Sequence, residues 1–248
     1  AVVHTSIYAA VNSITQEFPQ NQGARASAGG ESIEAAVASA SYTSLMSLVP
    51  QQKVTIEKAY SSALNVVPDG SAKDAGIALG RKAAEFVLAT RGNDGADAIE
   101  QYRPSASAGS YVPTVIPAVP HWPNRKPWLL DSAAQFRASP PPALNSKLWA
   151  KDLNEVKELG AINSSKRTQE QTDMAKFWEA TLPPIYHGVV HSIANKEGRS
   201  ATQNARLFAL ITQATDDAVI AVFDGKYHYG LWRPITAIRN ADNDGNPD

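Results

Sequence analysis

Along most of this chain the apolar positions recur with the spacing of helices. Near the start, Val3, Ile7, Ala10, Val11 and Ile14 fall on one stripe of AVVHTSIYAAVNSI, the period of an amphipathic helix. No start signal precedes this stripe, so the expectation is a chain that enters already inside a helix, with upstream residues removed. From Glu31 to Val49, Ile33, Val37, Ala40, Leu45 and Leu48 lie near one face, and Pro50 ends the run. Ala and Ser fill the other positions, which predicts close approach of neighbouring helices. QKVTIEKAYSSALNVV and SAKDAGIALGRKAAEFVLATR follow. The second predicts a cap at Ser71, with Asp74 three residues on, and a stop at Gly92. The GNDG that begins at Gly92 is turn chemistry.

From Arg103 to Pro142 the pattern breaks. Prolines stand at 104, 113, 117, 120, 123, 127, 140, 141 and 142, interspersed with Tyr111, Trp122, Trp128 and Phe136. Proline lowers the entropy cost of fixing a loop, and rings give it something to dock with. A disordered linker is poor in Trp, so the expectation is an ordered strap. Helical spacing then returns. In SKLWAKDLNEVKELG, Trp149, Leu153, Val156 and Leu159 form a stripe closed by Gly160. TQEQTDMAKFWEATL opens with Thr168 and Gln171, the ends of a capping box. PPIYHGVVHSIANKEG and SATQNARLFALITQATDDAVIAVFDGKYHYG complete the set. Period-2 alternation is scarce, and SYVPTVIPAV is cut by prolines. The fold class is therefore all-α, a multi-helix bundle with a Pro/Trp-rich strap. One helical domain over 1–248 is expected, incomplete at both ends, with a helical half over 1–102, the strap over 103–145 and a second helical half over 146–248.

Composition narrows the chemistry. The 248 residues hold 23 Lys plus Arg against 24 Asp plus Glu, a net charge of -1, so no general nucleic-acid surface is implied. There is no cysteine, which excludes disulfides, thiolate metal sites and cysteine nucleophiles. No apolar run is long enough for a membrane span.

Three constellations could carry chemistry. His187 and His191 stand i, i+4, the spacing of helical zinc ligands. Gly188, Val189 and Val190 separate them, without the glutamate of such a site, and no third ligand is suggested. The plainer reading is two half-buried polar residues on a packed helix, and no metal site is assigned. Asp216 and Asp217 point about 100° apart on a helix and cannot face one substrate together. One of them can fall inside and needs donors there; Asp217, nine residues before Lys226, is a candidate partner of that lysine. The third constellation is DGKYHYGLWRPITAIRN, from Asp224 to Asn240. Lys226 and Arg233 are seven residues apart, with Gly230 between them and Pro234 after. Pro disfavours a helical conformation at Arg233 and suits the first turn of a new helix. The expected picture is a helix ending near Lys226, an aromatic turn, and a helix beginning at Pro234. Positive helix end, guanidinium and ammonium then converge on an oxyanion, walled by Tyr227, His228, Tyr229 and Trp232.

K-x6-R-P, carried by Lys226, Arg233 and Pro234, resembles the first signature motif of the type 2 phosphatidic acid phosphatase superfamily. That superfamily includes bacterial acid phosphatases and vanadium-dependent haloperoxidases. The longer run DAVIAVFDGKYHYGLWRPITAIR looks like the soluble haloperoxidase-like branch, as do VHTSIYAAVNSI, ATRGNDGADA, QFRASPPPAL, WAKDLNEVKELG and SSKRTQEQTDMAKFW. The resemblance covers nearly the whole chain. It implies a helical bundle in which Lys226 and Arg233 are catalytic and cofactor-binding, stabilising the charge of vanadate, or of phosphate as substrate or mimic. In the haloperoxidase mode hydrogen peroxide and halide are the further partners, and a histidine holds the vanadate. In the phosphatase mode that histidine attacks phosphorus. The family's Ser-Gly-His motif and its later Arg/His motif do not occur in this chain. His4, His121, His187, His191 and His228 stand in neither, so none is assigned as nucleophile, and this chain alone is expected to be inactive. The expectation is the oxyanion-binding portion of a haloperoxidase-like enzyme whose C-terminal part is missing. An acid phosphatase, or a non-catalytic helical binding or storage protein that kept the pocket, are the alternatives. The resemblance also favours a secreted or periplasmic protein, and the Ala- and Ser-rich helices could join a homodimer.

Overall fold

The computed structural model describes residues 1–19, 29–99, 102–117, 119–179 and 183–247. These form α1 (Val2–Thr15), α2 (Ile33–Leu48), α3 (Lys53–Asn65), α4 (Ser71–Arg91), α5 (Lys147–Gly160), α6 (Gln169–Glu179), α7 (Pro183–Ala194), α8 (Ala201–Tyr229) and α9 (Pro234–Arg239). Extended pairing among the described residues is one isolated antiparallel bridge, Ser110 to Leu231, so the protein is all-α. Among the described residues no helix is long and apolar enough to cross a membrane. Contacts divide the chain into two compact units, one of Ala1–Asp94 with Pro183–Asp216, the other of Gly95–Leu182 with Asp217–Asp248. Each unit is assembled from segments distant in sequence, and α8 contributes to both.

In the first unit α1, α2 and α4 pack closely. Ala10, Ala36 and Ala40 are fully buried, with Ile7, Ile14 and Ala83 against them. The buried face of α2 is its small-residue face, Ala35, Ala36, Ser39, Ala40 and Ser44; of the stripe read from the sequence, Ala40 alone belongs to it. Leu48 is 49% exposed, and Val37 and Leu45 line a groove with Ile56 and Tyr60 of α3. The reason is proximity. A Cβ on Gly76 would strike the Ser32 carbonyl, and one on Gly80 would strike the Ala36 carbonyl, so α4 rides on α2 where only glycine and alanine fit. Buried hydroxyls in this seam are satisfied locally: Ser44 Oγ donates to Ser6 Oγ at 3.1 Å and Ser39 Oγ to the Ile77 carbonyl at 2.8 Å.

Side-chain caps open α2, α5 and α6. The Ser146 hydroxyl accepts from Trp149 N–H at 3.1 Å to start α5. Thr168 and Gln171 exchange side-chain and backbone bonds of 2.9 and 3.1 Å ahead of α6, the expected capping box; residues 180–182 of the expected helix lie outside the described residues. At α4 the cap is Gly70 and Ser71 is already the first helical residue. Gly70, at φ 140°, supplies the backbone turn that a serine cap would otherwise make.

The second unit contains the strap, and it is ordered by polar ties to the later part of α8. The Asp217 carboxylate accepts from three consecutive backbone N–H groups, Trp128 at 2.6 Å, Leu129 at 2.7 Å and Leu130 at 3.1 Å. One turn pair further along, Asp224 accepts two bonds from Arg137, at 2.6 Å from Nε and 2.7 Å from Nη2. Tyr111 is 3% exposed, and Trp122 meets Phe223 edge-on at 5.8 Å. Phe136, expected to dock like the other rings, is 73% exposed.

Candidate functional site

The run from Lys226 to Pro234 is built as a helix end, a glycine turn and a helix start. The first helix runs three residues past Lys226, to Tyr229. Gly230 has φ 53°, a left-handed conformation that glycine takes without strain, and its N–H closes on the Lys226 carbonyl at 3.0 Å. The chain then lies along the strap: Tyr111 N–H donates to the Gly230 carbonyl, and Trp232 N–H donates to the Gly109 carbonyl at 2.8 Å. Arg233 is extended, with φ -70° and ψ 152°, and caps α9 at Pro234, as the pre-proline restriction requires.

This geometry brings Lys226 and Arg233 to one ring. Lys226 Nζ lies 4.9 Å from the Tyr111 centroid and Arg233 Cζ 5.7 Å from it, both within cation–π range. Lys226 Nζ is also 5.1 Å from the Phe223 ring and 4.9 Å from the Tyr227 ring. Phe223 and Tyr227 stack on each other at 6.0 Å. Among the described residues neither cation has a hydrogen-bond or ion-pair partner. Arg233 is exposed and Lys226 half-buried. Two formal positive charges therefore lie near one ring, with no carboxylate bonded to either among the described residues, a donor set suited to an oxyanion. Beside Lys226 opens a groove of about 590 Å³ with Phe136, Val222 and Leu231 among its apolar walls.

The helix end contributes less than the spacing suggests. Pro234 has no N–H, and Thr236 and Ala237 N–H both donate to the Arg233 carbonyl at 2.9 Å. Positive charge at this place is carried by side chains, not by a helix dipole, and α9 is only six residues long. The walls differ too. Tyr227 touches Lys226, but the Tyr229 hydroxyl donates to the Ala138 carbonyl. His228 is exposed and stands 3.4 Å from Arg137. Trp232 is buried, stacked on Trp149 at 6.3 Å. The rings that replace them, Tyr111 and Phe223, carried weak signals: Tyr111 sits far away in the strap, and Phe223 is one helical turn before Lys226.

Asp217, expected as a partner of Lys226, is instead saturated by the strap backbone. A carboxylate more than two turns away faces whichever donors the packing brings, and here those are main-chain N–H groups. Its neighbour Asp216 is half-buried. Asp224, two residues before Lys226, is likewise committed. The Arg137 guanidinium bonded to it holds its carboxyl below the usual carboxylate range, against the opposing effect of burial.

His187 and His191 lie in the first unit and belong to an aromatic cluster that spacing did not reveal. His4 stacks on Phe208 at 5.0 Å and lies 5.3 Å from His187, while His191 meets Phe208 edge-on at 5.0 Å. Burial lowers the His4 pKa from 6.5 to about 4, helped by His187, the α-amino group and His191. The described residues contain no group of three His, Asp or Glu side chains arranged to hold a metal ion.

Residues 206–246, which include Lys226 and Arg233, match the family of the VCPO second helical-bundle domain. The chain is 36% identical over 104 residues to vanadium chloroperoxidase of Curvularia inaequalis, an alignment covering 36% of this chain and 17% of that protein. It superposes on a bacterial vanadium-dependent iodoperoxidase with a TM-score of 0.75 at 24% identity, covering 98% of this chain and 66% of the other. On an apo bacterial vanadium-dependent chloroperoxidase the TM-score is 0.66 at 16% identity, covering 97% and 64%. At such identities the structural likeness establishes the fold. The chain spans just under two thirds of the length of these solved structures and a much smaller share of the curated relative.

Proposed function

This is a vanadium haloperoxidase-like helical chain, and on that premise we propose that it is the oxyanion-binding portion of a peroxide-dependent halide-oxidising enzyme, with Lys226 and Arg233 as the side chains that hold vanadate. The observation that carries the reading is the pair itself: two cations on one tyrosine ring, neither with an anionic partner among the described residues. A guanidinium presents parallel N–H groups that match two oxygens of one oxyanion. An ammonium supplies a compact charge for a third. In the half-shielded surroundings of Tyr111, Phe223 and Tyr227 that charge is worth more than in bulk water. Vanadate, when bound, would supply Lewis-acid activation of peroxide; the part of this chain is to bind and orient it and to stabilise negative charge on its oxygens. The similarities run to haloperoxidases and do not favour the phosphatase or the non-catalytic alternative.

The test is thermal. Orthovanadate or inorganic phosphate is expected to raise the melting temperature, because a ligand that binds only the folded state stabilises it. Arg233→Ala is expected to abolish the rise. A melting temperature that neither anion moves, or an equal rise in the Arg233→Ala protein, would overturn the reading.

A further inference from the structure

Most cations that must stay in place near a protein surface are held by carboxylates, which cancel their charge. Carboxylates are close at hand along α8, yet Asp217 is occupied by the strap backbone and Asp224 by Arg137. Lys226 is held instead by three rings, and Arg233 shares one of them. Tyr111 is the shared ring, and it is fixed from three sides. Its N–H is bonded to the Gly230 carbonyl, its carbonyl accepts from the Tyr102 hydroxyl at 2.7 Å, and the next contact, from Trp232 N–H to the Gly109 carbonyl, locks the same two segments together. The residue is buried at 3% exposure, so packing holds its ring near the two cations.

We infer that Tyr111 is a positioning residue: its ring holds both Lys226 and Arg233 without neutralising either, so that the pair keeps both charges for a multiply charged oxyanion. The inference rests on the oxyanion reading above and goes beyond it by naming what keeps the site open and which anions it prefers. A ring quadrupole attracts a cation electrostatically but carries no net charge. An ammonium and a guanidinium brought together repel each other; the tyrosine face offsets part of that repulsion, and a dianion removes the rest. A monovalent anion such as chloride relieves it only in part. The site therefore discriminates by charge before any contact with a particular oxygen is made.

Three variants of the whole chain, Tyr111→Phe, Tyr111→Leu and Arg233→Ala, decide the matter in a calorimetric titration with inorganic phosphate and with orthovanadate. Tyr111→Phe keeps the ring and is expected to bind as the parent does. Tyr111→Leu removes the ring and is expected to bind roughly tenfold more weakly, the scale of a partly desolvated cation–π contact, and to lose its preference for phosphate over chloride in competition. Unchanged affinity in Tyr111→Leu, with binding lost in Arg233→Ala, would overturn the positioning role and leave the oxyanion reading standing. Affinity unchanged in Arg233→Ala, or absent in the parent, would overturn the oxyanion reading. An NMR measurement without any anion keeps the two failures apart. The Lys226 ε-methylene protons, facing three rings, should resonate upfield of other lysines and move back downfield in Tyr111→Leu but not in Tyr111→Phe. No movement in Tyr111→Leu would refute the platform, whether or not an anion binds, and a rescued shift in Tyr111→Phe rules out misfolding as the cause.

Discussion

The two units of this chain solve opposite problems. The first has little large side-chain volume to spend in its helix seam, so it brings backbones close, with glycine and alanine at the contacts and serine hydroxyls bonded inside. The second has a long stretch without regular structure and ties it down with carboxylates on α8, Asp217 on main-chain N–H groups and Asp224 on the Arg137 side chain. The units also treat buried titratable groups differently. The first keeps a histidine neutral beside two others and a phenylalanine. The second keeps Asp224 ionised by bonding it to the Arg137 guanidinium. Packing is indifferent to pH and intolerant of volume; anchoring by carboxylate is tolerant of volume and depends on charge.

The comparison is broken most severely at Asp217. Replacing it by Ala leaves three strap N–H groups without their acceptor, at a cost of about 3–5 kcal/mol. All five tryptophans, at 122, 128, 149, 178 and 232, lie in the second unit, so denaturant unfolding followed by Trp fluorescence reads this loss directly. A midpoint equal to that of the parent would mean that the strap is not held by this carboxylate. The histidine cluster sets the next effect, on the order of 3 kcal/mol. The folded pKa of His4 is lowered from 6.5 to about 4, so the unfolded chain takes up a proton that the folded one refuses. That stability is fully present above pH 6.5 and is lost as pH falls toward 4. His4→Phe, which keeps the stack on Phe208, should flatten the melting temperature against pH across this window; a slope as steep as the parent's would refute the assignment. The smallest effect sharpens the volume argument. Gly80→Ala adds one methyl where the Ala36 carbonyl already sits and is expected to cost about 1–3 kcal/mol, read by circular dichroism, while the same change at Gly188, whose Cβ position faces open space, should cost nothing or stabilise the helix.

Helices were legible because their signals are local. The Thr168–Gln171 box and the stripe from Val3 to Ile14 each need only a short run of consecutive residues. So was the break at Arg233–Pro234, since proline restricts its neighbour whatever the fold. Lys226 and Arg233 could be paired on spacing and resemblance, and the fold brings them to one ring. What could not be read was anything decided between distant segments. Tyr111 lies more than a hundred residues from Lys226, Asp217 found donors at 128–130 rather than the lysine on its own helix, and His4 joined His187 and His191 from the far end of the chain. The inward face of α2 was misjudged for the same reason: hydrophobicity points to Val37 and Leu45, but a glycine-bearing neighbour selects the alanines.

The grip of Asp217 on Trp128, Leu129 and Leu130 has a consequence for how this stretch can change. It holds main-chain nitrogen and ignores side chains, so it specifies where the strap must be and nothing about what it must spell. Leu129, with its side chain 61% exposed, is fixed in space yet unconstrained in identity, and a library randomised there should retain nearly every residue but proline. Positional order and sequence freedom coexist at Leu129, which makes it the natural place to insert a label, a charge or a foreign side chain without disturbing the fold.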